Sequence, residues 1–222
     1  MKTCNKTPWI LAAAFGALFV ILLVLLLTVD VAPIAPLGNT VGLSTINGAV
    51  KDALSVNYTL YDLAEWTGYL ALLTAAIFAL LGFIQLVKRR SLAKVDRELV
   101  VLACLYVVSL LFYILFEVFV VNVRPVMVFD SSTPEASFPS SHTLLAVTFF
   151  GSAILLLRKY LQKKPLRVCA QVVLCALLVM TTVCRFLSGA HWLTDILGGI
   201  LLGSSLLCLF AGALQKVEKK EE

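Results

Sequence analysis

Apolar runs alternate with short polar stretches along the whole chain, at 9–29, 66–87, 99–121, 142–157, 168–183 and 192–214. A hydrocarbon core about 30 Å thick is crossed by roughly twenty apolar residues in an α-helix, and only helices or closed barrels satisfy their backbone there. The pattern therefore predicts an all-α, polytopic membrane protein built as a six-transmembrane-helix bundle. The first run could also be read as a cleaved signal peptide, but it is longer than a usual signal core, and its loss would remove the even number of crossings. Glu117 is the charged exception inside the third run.

The longest polar segment, 30–65, opens with Pro33 and Pro36 and then carries Ile46, Val50 and Leu54 at helical spacing. That spacing predicts a short helix lying in the membrane interface, within either an ordered loop or a lid over a site. The sequon Asn57-Tyr58-Thr59 matters only in a host that glycosylates.

Composition agrees with the pattern. Of 222 residues 60% are hydrophobic and 14% charged, and the mean hydropathy of +0.97 is too high for a soluble domain of this size. The net charge of +5 would suit an anionic partner such as nucleic acid, but the cations fall in short clusters between apolar runs. These clusters set topology instead. With six crossings, the termini and the loops 88–98 and 158–167 hold fifteen of the eighteen Lys and Arg residues, which makes those segments cytoplasmic. Lys51, Arg124 and Arg185 are left outside. Short termini and compact size point to a bacterial plasma membrane. Trp9, Trp66 and Trp192 fall at predicted helix ends, as interfacial anchors would. Cys4, Cys104, Cys169, Cys175, Cys184 and Cys208 show no paired metal or disulfide spacing. No repeat or boundary divides the chain, so 1–222 is expected to be one domain with its chemistry in 117–195.

Three polar blocks share the predicted outer face: Asn122-Val123-Arg124-Pro125, Phe138-Pro139-Ser140-Ser141-His142, and Arg185 to Asp195. For an isolated arginine and histidine, snorkelling to the headgroups would be explanation enough. Three blocks on one surface ask for more. Arginines bind phosphate oxygens through paired hydrogen bonds, and a helix amino terminus favours the same anion. His191 and Asp195 stand four apart at a helix start, where the carboxylate can hold one ring nitrogen and free the other. One histidine could attack phosphorus while the other protonates the departing oxygen, with no metal or other cofactor. Metal binding by the two histidines competes, but only one carboxylate is close in sequence and no ligand cluster is spaced for it.

These residues resemble the type 2 phosphatidic acid phosphatase family, six-helix membrane phosphatases related to vanadium haloperoxidases, with motifs KxxxxxxRP, PSGH and SRxxxxxHxxxD. Here the third reads Cys184-Arg185, five residues, His191, three residues, Asp195; the second reads Pro139-Ser140-Ser141-His142; the first keeps Arg124-Pro125. The resemblance implies that His191 is the nucleophile, Asp195 its orienting partner and His142 the general acid. Arg124, Arg185, Ser140 and Ser141 would hold the phosphoryl oxygens. It implies hydrolysis of a lipid phosphate or polyprenyl diphosphate at the outer leaflet, an extracytoplasmic site, and membrane lipids as the surroundings.

The sequence departs from that pattern at three positions. Glu117 stands seven residues before Arg124 where the family has lysine, an anion that would repel substrate unless it points elsewhere, pairs with Arg124 two turns along its helix, or is offset by Lys51. Cys184 replaces serine, and Ser141 replaces glycine. Two other functions therefore stay open: a lipid phosphotransferase, and a catalytically silent lipid-phosphate binder or transporter.

Overall fold

The computed structural model describes residues 5–127 and 133–221, so Lys2 and Cys4 lie outside the described residues. Among those described, the chain is all helical apart from isolated backbone bridges, with six helices long and apolar enough to cross a membrane. The first crossing is α1 (Thr7–Thr28). A short α2 (Ser44–Ala53) precedes the second, α3 (Tyr58–Arg89). The third is α4 (Arg97–Val118). The fourth joins α5 (Ser141–Leu145), a π-helical turn (Ala146–Phe150) and α6 (Gly151–Tyr160). The fifth is α7 (Lys164–Leu187) and the sixth α8 (Leu193–Glu221).

The fourth and sixth crossings form the centre. Their most apolar stretches are 61% and 50% buried, against 6% to 22% in the others, whose apolar surfaces face lipid. The fourth is also the least apolar of the six. Its Thr148 and Ser152 hydroxyls are buried and donate to the carbonyls of Leu144 and Phe149, which lets these polar side chains lie inside the bundle without orphaned hydroxyls. Gly199 of α8 makes the central contact close, because a Cβ there would stand 2.8 Å from the Ser140 carbonyl.

Three expectations are corrected. The second crossing starts at Tyr58 rather than 66, so Glu65 is helical; the Asn57 side chain caps that start by accepting from the Leu60 N–H. The short helix expected in 30–65 is present as α2, and its buried face carries Ser44 and Asn47. Asn47 donates to the Gly42 carbonyl and the Thr194 hydroxyl, while Ile46 is 53% exposed. Asp30 caps this helix from a distance, accepting from the Thr45 N–H and the Ser44 hydroxyl, and these hydrogen bonds lower its pKa. Trp192 is no interfacial anchor: it is buried against Ala35 and Val41, and its indole N–H donates to the Val123 carbonyl at 2.7 Å. Finally, α4 ends at Val118, so Glu117 and Arg124 do not share a helix.

Candidate active site

The three polar blocks meet at one end of the bundle. Past α4 the chain folds back on itself: Val123 bridges Ala136, the Arg124 N–H donates to the Glu135 carbonyl, and the Ser137 N–H donates to the Asn122 carbonyl. This turn carries Arg124 inward. The Ser140 N–H then donates to the Asp195 carbonyl at 2.9 Å, joining the second block to the third by backbone. Phe138, buried against Phe19 and Phe116, anchors the segment in the apolar core below.

His191 sits in the short connection between α7 and α8. Its Nδ1 lies 3.3 Å from Asp195 Oδ2, which also accepts from the Trp192 N–H at 3.0 Å. Its Nε2 is buried, and among the described residues it has no hydrogen-bond partner. Burial of the ring, then the charges of Arg124, Arg185 and His142, hold its pKa well below that of an ordinary histidine. The ring is therefore neutral at pH 7, with a lone pair available on the nitrogen that Asp195 does not hold. His191, Arg124, Ser141, Ser137 and Glu117 line one cavity of about 20 Å³, room for little more than a water molecule.

The two arginines are not idle. Arg124 Nε lies 3.0 Å from Glu135 Oε2. Arg185, fully buried in the last turn of α7, donates from NH1 to Glu65 Oε1 at 2.8 Å and stacks over the Tyr61 ring at 4.5 Å, leaving Nε and NH2 buried and unpartnered among the described residues. The other oxygen of Glu65 lies 3.2 Å from His142 Nε2. Ser140 is occupied as a helix cap, its hydroxyl oxygen accepting from the Thr143 hydroxyl at 3.1 Å, whereas Ser141 faces the cavity. Lys51 lines neither this cavity nor the cleft beside it, so the offset considered for Glu117 does not come from there.

That cleft runs between α3 and α4. It has a volume of about 620 Å³ and starts at Glu65, Ser141 and His142 before continuing past Leu72, Ala79 and Val107. Glu65 and Glu135 are absent from the sequence expectations. Glu65 had a signal: it flanks the second apolar run beside Trp66, on the same predicted side as the three blocks. Glu135 had none beyond its closeness to Arg124.

A buried imidazole backed by a carboxylate, one buried and one half-buried arginine, and a second imidazole at the start of a central membrane helix gather at one polar end of a membrane protein. The family comparison agrees: the chain belongs to the PAP2 superfamily, whose model matches residues 106–219. The fold is also that of the first transmembrane PAP2-type phosphatidylglycerolphosphate phosphatase from Bacillus subtilis, whose crystal structure matches with a TM-score of 0.67 at 17% sequence identity, over 92% of this chain and 96% of that one. No curated protein sequence matches significantly.

Proposed function

We propose that the protein is a membrane phosphatase that hydrolyses a lipid phosphate or polyprenyl diphosphate at the outer leaflet through a phosphohistidine, without a metal. The observation that carries this reading is the His191 ring, held by Asp195 on one nitrogen and left buried and free on the other, in a cavity shared with Arg124. His191 Nε2 attacks phosphorus, Asp195 stabilises the charge that develops on the ring, and His142 protonates the leaving oxygen. Arg124, Arg185 and Ser141 hold the phosphoryl oxygens, with Ser140 setting the turn at the start of α5. Their hydrogen bonds strengthen as negative charge shifts in the transition state. Water then releases phosphate from the histidine.

The cleft between α3 and α4 suits an amphiphile whose chain lies in lipid while its phosphate meets His142. The test is phosphate release by purified protein in detergent containing EDTA. Wild type turns over under these conditions and His191→Ala does not; activity surviving that substitution refutes the reading.

A second reading, a silent lipid-phosphate binder, is favoured by Glu117 lining the cavity and by the cavity's small size. It is supported if wild type is inactive and Glu117→Lys creates turnover.

A further inference from the structure

Among the described residues, Glu65 is the acidic side chain that touches two expected site residues at once, His142 through Oε2 and Arg185 through Oε1. It lies in none of the three blocks. The His142 ring is gripped from α3 on one edge. One turn after Glu65, a Cβ at Gly68 would stand 2.7 Å from His142 Cδ2 and 3.1 Å from Nε2, so the Cδ2–Nε2 edge rests directly on the helix. The vertex opposite that edge is Nδ1, which is buried and has no partner among the described residues. His191 follows the same plan with the nitrogens exchanged: Asp195 holds Nδ1, and Nε2 is left over.

We propose that Glu65 is the positioning residue of the general acid, fixing the His142 proton on Nε2 so that Nδ1 delivers the proton to the leaving oxygen. This rests on the phosphatase reading above. As the bond from His191 Nε2 to phosphorus forms, the bond from phosphorus to the ester oxygen breaks and its electron pair goes to that oxygen. The oxygen takes the Nδ1 proton of the His142 imidazolium, and the ring is left neutral with its Nε2–H on Glu65. In the second half, Nδ1 removes a proton from the water that attacks phosphorus, and the N–P electron pair returns to His191. Glu65 offsets the charge of the imidazolium and shares its own with Arg185.

Leaving-group dependence separates this role from a structural one. Hexadecyl phosphate must expel an alkoxide and needs a proton, whereas 4-nitrophenyl phosphate expels a stable phenolate and does not. The reading is kcat/KM, because it covers only the steps up to departure of the alcohol. Glu65→Gln is expected to lower kcat/KM by about 10²-fold for hexadecyl phosphate and by less than about 5-fold for the aryl ester. His142→Ala is expected to give the same split, and the double variant to be no worse than His142→Ala alone.

Equal losses on both esters overturn the proposal and make Glu65 a structural partner of Arg185. A gain overturns it in favour of a latch that phosphate must displace. Should Glu65→Gln not fold, Glu65→Asp keeps the charge at shorter reach and is expected to show a smaller split, with the same two results overturning the proposal. A wild type inactive on both esters overturns the phosphatase reading and this proposal with it; turnover without the split overturns the proposal alone.

Discussion

At the end of the bundle away from His191, Asp96 accepts from the Gln85 amide at 2.8 Å and the Tyr160 hydroxyl at 3.1 Å, pairs with Arg89 at 3.0 Å, and donates its own N–H to Gln85. Burial works against the Asp96 carboxylate, but these hydrogen bonds outweigh it and hold its pKa below the ordinary value. Lys159 reaches across to the buried Glu98. This cluster ties α3, α4 and α6 together. At the His191 end an equally dense set of charges leaves His191 Nε2, His142 Nδ1 and the Arg185 Nε and NH2 groups buried without partners among the described residues. Buried polar atoms are normally paired, and leaving one orphaned costs about 1–3 kcal/mol. One end spends its polar groups, Glu98 Oε2 excepted, on holding helices together. On the proposed reading the other keeps them in reserve for a ligand, so substitutions at the two ends should have opposite signatures.

The largest effect is expected at His191. His191→Ala should lower kcat for lipid phosphate hydrolysis by about 10⁴-fold or more, while the melting temperature moves little, because losing the unsatisfied Nε2 offsets losing the imidazole partner of Asp195, whose Oδ2 keeps the Trp192 N–H. Lys159→Ala should do the reverse. It takes the cation from the buried Glu98, which costs about 1–3 kcal/mol of stability because Lys159 itself is exposed, with kcat per folded molecule unchanged. Lost activity with unchanged stability at Lys159 would break the comparison.

Gly68→Ala is expected to push His142 off α3 and lower kcat/KM for an alkyl phosphate by about 10- to 100-fold, measured beside a melting curve that barely moves. The smallest effect is on pH. The neutral His191 ring is the attacking form and its pKa is depressed, so kcat/KM for 4-nitrophenyl phosphate should persist as pH falls through the ordinary histidine value of 6.5. Loss of activity centred at or above that value would contradict the burial and charge described for the ring.

The crossings were legible because lipid imposes one rule on every residue of a span. Their polar ends were less so. Tyr58, Asp62 and Glu65 read as loop, yet they open α3, because a cap at Asn57 and packing beside α7 outweigh their polarity. Ile46, Val50 and Leu54 gave the helix but not its contact inside the protein, since Asn47 finds Thr194 across the fold and periodicity cannot report such a partner. In the site, His142, His191, Asp195, Arg124 and Arg185 were visible because charge is rare in apolar sequence. The glutamates that pair with both arginines were not, as those pairings form between distant segments or across a turn and leave no spacing to read.

The central claim is that His191 takes the phosphoryl group from a lipid. Acid-labile phosphohistidine can be trapped by rapid alkaline quench of enzyme mixed with ³²P-labelled phosphatidate, then located by peptide mapping. The account predicts label on the peptide containing His191, present in wild type, accumulating in a variant slowed in water attack, and absent from His191→Ala. Steady turnover with no trapped label, or label on a peptide that lacks His191, would contradict it.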